Sequence, residues 1–89
     1  MAHRDGYTPQ ENAVIEFAAR HFRLKQETLT PETEVDGYVF ARLVKQEFQC
    51  PTMLVAPRIR IRDIAGCIPP ECLDNANKKR AAQDRAEAS

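Results

Sequence analysis

The feature that most limits this chain is where its bulk lies. Of its 26 apolar side chains larger than alanine, 24 fall between Ala13 and Leu73. Before Ala13 the large ones are Met1 and Tyr7, and beyond Leu73 the apolar residues are all alanines. In a chain of 89 residues that distribution supports one modest core, because a chain of this size buries only about 60–65% of its unfolded surface. It leaves no material for a second domain or a deep catalytic cavity. The expected organisation is a flexible lead-in over residues 1–9, a helical domain over 10–70 and a polar, disordered tail over 71–89.

Within the apolar stretch the spacing is helical. Val14, Phe17, Ala18 and His21 form one stripe, widened by Ile15, Ala19 and Phe22, which predicts a helix over about 10–25. Pro9 suits its first turn, Glu11 its N-terminus, and Arg20, Arg23 and Lys25 its C-terminal end. Leu24 to Thr33 reads as a loop, with Thr30 able to cap and Pro31 to start a short helical turn. The second helix is expected over about 36–49. Asp36 is its N-cap, Val35 and Phe40 make a hydrophobic staple, and Phe40, Val44 and Phe48 repeat at i, i+4 and i+8 beside Val39 and Leu43. Pro51 ends it and biases Cys50 toward extended backbone. Met53, Leu54 and Val55 read as apolar anchors in a loop between two prolines.

Residues 58–68 carry two patterns. Arg58-Ile59-Arg60-Ile61-Arg62 alternates like a strand, whereas Ile61, Ile64, Ala65 and Ile68 follow helical spacing. No second alternating run exists to pair with a strand. The reading is therefore an extended segment leading into a short helix over about 61–68, stopped by Pro69-Pro70. The fold expected is all-α, a three- to four-helix bundle. Its core is Val14, Phe17, Phe22, Phe40, Val44 and Phe48, closed by Ile61, Ile64 and Ile68.

Three stretches resemble the acyl carrier protein family. Val35-Asp36-Gly37-Tyr38-Val39-Phe40-Ala41-Arg42-Leu43-Val44-Lys45-Gln46-Glu47-Phe48 is similar to that family's second helix. Ile61-Arg62-Asp63-Ile64-Ala65-Gly66-Cys67-Ile68 is similar to its final helix. Leu29-Thr30-Pro31-Glu32-Thr33 is similar to the loop after its first helix. The resemblance covers about residues 11–70 and implies the carrier fold. The family works through a serine in an Asp-Ser-Leu triplet before helix two, which is joined to 4′-phosphopantetheine. Aligned without a gap, Thr33-Glu34-Val35 stands on that triplet, and Glu34 on the serine. A carboxylate does not accept the group as that serine does, and the chain's single serine is Ser89. The resemblance thus implies the carrier fold without its chemistry, and no cofactor is expected.

Partners of such a fold meet the start of helix two and the loop before it. Here that surface comprises Glu32, Glu34, Asp36, Tyr38 and Arg42. The acids would attract a basic partner and Tyr38 would anchor it. Helix two departs from the family's acidic pattern, since Arg42 and Lys45 face outward. An alternative reading uses Arg58, Arg60 and Arg62 as an anion-binding edge of a small DNA-binding or regulatory protein.

Thirteen basic and thirteen acidic residues cancel, which argues against a nucleic-acid binder of the usual basic kind. The link of about ten residues between the first two helices is too long for a helix-turn-helix. Lys78-Lys79-Arg80 sits in a nearly balanced tail. No apolar run is long enough to span a membrane, and residues 1–10 lack the apolar core of a signal peptide, so the expected location is cytoplasmic. Cys50, Cys67 and Cys72 are odd in number and read as reduced thiols, with Cys50 and Cys67 as small apolar packers. They lack the CxxC-type spacing of a zinc site, and His21 reads as a helix-boundary residue. The expectation is a monomeric, non-enzymatic domain that acts by binding an unidentified protein.

Overall fold

The computed structural model describes residues 6–75 and residue 78. The expectations for residues before Gly6, for Lys79 and Arg80 and for the rest of the tail lie outside these. The chain runs α1 (Pro9–Phe22), β1 (Glu34–Asp36), α2 (Gly37–Phe48), β2 (Arg58–Arg60) and α3 (Ile61–Ala65), with 3-10 turns at Gln26–Thr28 and Pro70–Cys72. It is a small helix-rich domain. The all-α expectation is corrected in one respect, because β1 and β2 pair as a two-stranded antiparallel sheet.

Local chemistry sets the helix ends. Thr8 and Glu11 form a reciprocal capping box at the start of α1. Thr8 Oγ1 accepts the Glu11 N–H at 3.0 Å and Glu11 Oε1 accepts the Thr8 N–H at 2.9 Å. Two donors at the helix start are thereby satisfied. α1 stops at Phe22 rather than near Lys25, because Arg23 turns left-handed at φ 56°. The Leu24 N–H then folds back onto the Ala19 carbonyl at 2.9 Å, the usual way of satisfying terminal carbonyls. α2 begins as expected on Asp36, whose Oδ1 accepts the N–H groups of Tyr38 and Val39 at 2.9 and 3.2 Å. It ends on a left-handed Gln49.

The segment around Thr30 is not a helical start. Thr33 Oγ1 accepts the Thr30 N–H at 3.0 Å, Thr30 Oγ1 accepts the Glu32 N–H at 3.2 Å, and the Thr33 N–H closes on the Thr30 carbonyl at 3.0 Å. These bonds tie a turn that feeds directly into β1.

The alternation over residues 58–62 is a genuine strand signal. Its partner is Glu34-Val35-Asp36, in register Glu34↔Arg60, Val35↔Ile59 and Asp36↔Arg58. That partner escaped recognition because three residues with one apolar side chain carry no visible alternation. The ladder continues past β2, where Ile61 and Arg62 donate their N–H groups to the Thr33 and Pro31 carbonyls at 3.0 and 2.9 Å. Val35 and Ile59 share the inward face, as a period of two requires.

The core is nearly the expected one. Val14, Phe17, Phe40, Val44, Phe48, Ile61, Ile64 and Ile68 are buried, together with Ile15, Leu29 and Ile59. The Phe17 ring stacks on Phe40 at a centroid distance of 6.0 Å and meets Phe48 edge-on at 6.3 Å. Both arrangements are favoured by the ring quadrupoles. Phe22 differs from expectation. It stays 45% exposed and only covers the rim, with its ring 5.8 Å from that of Phe40. Early termination of α1 leaves no following turn to bury it.

α3 is shorter than the expected 61–68. Cys67 and Ile68 donate to the Ile64 and Ala65 carbonyls at 3.0 and 3.1 Å, tightening the last turn while Ile68 stays buried. Packing also runs past Pro70. Cys72 is buried, Leu73 leans on the core, and Asn75 Nδ2 donates to the Phe48 carbonyl at 2.8 Å. That carbonyl belongs to the unsatisfied end of α2, so residues 71–75, expected to open a disordered tail, instead dock through two apolar side chains and a hydrogen bond. No helix among the described residues is long and apolar enough to cross a membrane.

Candidate functional site

The two surfaces that the sequence offered as alternatives lie side by side. The β1–β2 register sets Glu34 across from Arg60 and Asp36 across from Arg58. Glu32, brought close by the turn before β1, bridges two arginines. Its Oε1 lies 2.6 Å from Arg62 Nη1 and its Oε2 lies 3.7 Å from Arg60 Nε. These are exposed pairs of modest energy, on the order of 0.2–1 kcal/mol each. Their larger consequence is charge cancellation. Glu32 is not a free acid, and Arg60 and Arg62 are not a free cationic edge.

Asp36 is engaged as well, since Oδ1 caps α2. Glu34 is exposed on β1. It lies before α2, with Val35 and Asp36 between it and the helix. A shallow depression of about 430 Å³ beside it is lined by Glu34, Val35, Asp36, Pro57 and Arg58, and its walls carry both signs of charge.

A different feature stands out next to it. Tyr38, Ala41, Arg42, Lys45, Met53 and Val55 enclose a groove of about 240 Å³ between α2 and the loop over residues 51–57. Tyr38 is 55% exposed, Leu54 45% and Val55 59%. The loop was expected to anchor inward through Met53, Leu54 and Val55. Instead Met53 is half-buried and the other two point largely to solvent. Val39, read beside the core stripe, is 55% exposed on the same first turn of α2. Of these, Tyr38 and Val55 line the same groove, and exposed apolar side chains gathered on one surface mark interaction sites.

The loop is held against α2 by contact with backbone. A Cβ built on Gly37 would collide with the carbonyl oxygen of Ala56, and the Gly37 N–H points at the Pro57 carbonyl at 3.4 Å. Only glycine permits this crossing. Sequence reasoning passed over Gly37. Its one signal was a glycine placed immediately after a strong N-cap, where a better helix former would ordinarily stand.

The thiols lie elsewhere. Cys50 and Cys72 are buried and Cys67 is half-buried. Cys72 Sγ is 3.9 Å from the Gln49 carbonyl, and Cys67 Sγ donates to the Asp63 carbonyl at 3.4 Å. Burial, followed by the neighbouring Cys72 and Cys67 thiols, pushes the Cys50 thiol up to about 11. It is therefore protonated at neutral pH and a poor nucleophile. Among the described residues no three His, Cys, Asp or Glu side chains are arranged to hold a metal ion. His21 is exposed, its ring against Phe17 and Phe22 at 5.6 and 4.9 Å.

Comparison with protein-family models, curated proteins and solved structures found no match to this chain.

Proposed function

We propose that this chain is a carrier-like helical domain that acts by binding another protein, without phosphopantetheine and without catalysis of its own. The observation that carries this reading is that Tyr38 and Val55, both large, apolar and exposed, line one groove beside the start of α2. That is where partners of the acyl carrier protein family meet their carriers. The order of a first helix, a long connection, a sharply capped second helix and a short third one supports the likeness. The β1–β2 pair is a departure from it. The site chemistry supports a binding role over a carrier role, because Glu34 replaces the hydroxyl that the cofactor needs.

The test is position-specific photo-cross-linking in the native host. A benzoylphenylalanine is placed at Tyr38 in one variant and at exposed Glu27 in another. A discrete adduct from position 38 that is absent from position 27 is the expected result. Equal adducts at both, or none at position 38, would overturn the reading. Incubation with coenzyme A and a phosphopantetheinyl transferase should leave the intact mass unchanged. A gain matching phosphopantetheine would restore the carrier role.

A further inference from the structure

What the Tyr38 face recognises follows from which charges near it are free. From the sequence, Glu32, Glu34 and Asp36 should draw in a basic partner. The fold engages two of those acids internally and sets the third across the sheet from an arginine. Glu32 is held by Arg60 and Arg62, Asp36 Oδ1 by two amide groups of α2, and Glu34 lies across the sheet from Arg60. Arg42 and Lys45 are the opposite case. They line the groove together with Tyr38, Met53 and Val55. Among the described residues neither enters an ion pair. They sit three residues apart, so both project from one face of α2.

We propose that this groove docks an acidic amphipathic segment of a partner protein. The proposal rests on the protein-binding reading and names the partner's chemistry. One bulky apolar side chain of the partner enters between Tyr38, Met53 and Val55, and carboxylates flanking it pair with Arg42 and Lys45. The polarity is the reverse of the carrier family's usual arrangement, in which an acidic second helix meets a basic enzyme. Two cations beside an apolar slot suit such a segment better than a polyanion. A nucleic acid or an anionic membrane gains most from an extended run of free cations, and here two of the three arginines over residues 58–62 share Glu32 as an ion-pair partner.

The experiment uses the full chain and two labelled peptides that share one Leu/Phe stripe and differ only in carrying Glu or Lys on its flanks. The Glu peptide should bind at least about tenfold tighter, a difference of roughly 1.4 kcal/mol, and should weaken as salt rises. Amide chemical shifts should move at Tyr38, Arg42, Lys45 and Val55. The variant R42E/K45E should reverse the preference, and R42K/K45R should preserve it. Both positions are exposed, so the variants fold, which a wild-type melting curve verifies. Equal or tighter binding of the Lys peptide, shifts mapping elsewhere, or no binding at millimolar peptide would overturn the proposal. So would displacement of the Glu peptide by phosphatidylglycerol vesicles or a DNA duplex more effectively than by unlabelled peptide, or a self-dimer that buries the groove. A position-38 cross-link combined with a Lys-peptide preference would refute the acidic partner alone. Absence of the cross-link would refute the binding face itself.

Discussion

Gly37→Ala tests the geometry that builds the groove, because general rules and this structure give opposite signs. In a helix interior alanine is favoured over glycine by up to about 1 kcal/mol. A strain-free Gly→Ala change stabilises by about 0.4–1 kcal/mol through the unfolded chain. At Gly37 the added methyl meets the Ala56 carbonyl oxygen, a backbone atom with no rotamer to change. The loop over 51–57 must lift. Lifting breaks the Gly37–Pro57 hydrogen bond, worth about 0.5–1.5 kcal/mol, and overpacks a buried position at about 1–3 kcal/mol. The net expectation is a loss of about 1–3 kcal/mol. For a domain of this size that lowers Tm by roughly 5–20 °C. The assay is thermal and urea unfolding followed by circular dichroism. Gly66→Ala is the control, since its Cβ would meet only the Arg62 and Asp63 carbonyls at 3.5 and 3.6 Å on a right-handed helical backbone. It should raise stability by about 0.4–1 kcal/mol. A Gly37→Ala protein that melts with or above wild type would refute the account of how the loop is held.

Other perturbations probe other parts. Phe40→Ala removes a ring that is 1% exposed and should cost about 3–5 kcal/mol, enough to unfold much of the population in a denaturant titration. Glu32→Gln removes two exposed ion pairs. It should cost about 0.5–1 kcal/mol at low salt, less at high salt, and an unchanged salt dependence of Tm would count against the bridge. The Cys50 thiol is raised from 9.0 to about 11 on folding, so between those values the unfolded chain holds fewer protons than the folded one. Stability that is complete below pH 9 should therefore fall as pH rises toward 11. The fall should be on the order of 2 kcal/mol and should be missing from Cys50→Ala when the two unfolding curves are compared.

Much of the core was legible because helical burial writes a period into the sequence. Val14, Phe17, Phe40, Val44, Phe48 and the three isoleucines Ile61, Ile64 and Ile68 fall on that period and are buried. The Asp36 cap was legible because its chemistry is local; the Thr8–Glu11 box is equally local but was missed, because Thr8 was assigned to a flexible lead-in. Pairing at a distance was not. β1 holds three residues, too few for alternation to register, and nothing in Glu34-Val35-Asp36 names Arg58–Arg60 as its partner. Phe22 was misplaced because its burial depends on where α1 stops, and a left-handed arginine is a weaker stop signal than glycine. The outward turn of Leu54 and Val55 depends on the seat that Gly37 gives the loop, a contact between backbones that side-chain patterning does not encode.

The sheet also decides which charges near α2 are paired, although neither strand belongs to that helix. Register in a two-stranded pair is a binary matter, because a slip of one residue sends inward side chains outward. Here a slip would expose Val35 and Ile59 and drive a charged neighbour into the core. The observed register is pinned at its far end by the Pro31 and Thr33 carbonyls, which accept from Arg62 and Ile61. The same bonds hold Glu32 between Arg60 and Arg62. Closing the core and pairing Glu32 are thus one event, set by one ladder. Arg42 and Lys45 lie outside that ladder and keep their charge beside the apolar groove. Beside an acidic stretch of the chain, the fold thus sets two cations, unpaired among the described residues, on the groove that Tyr38, Met53 and Val55 line.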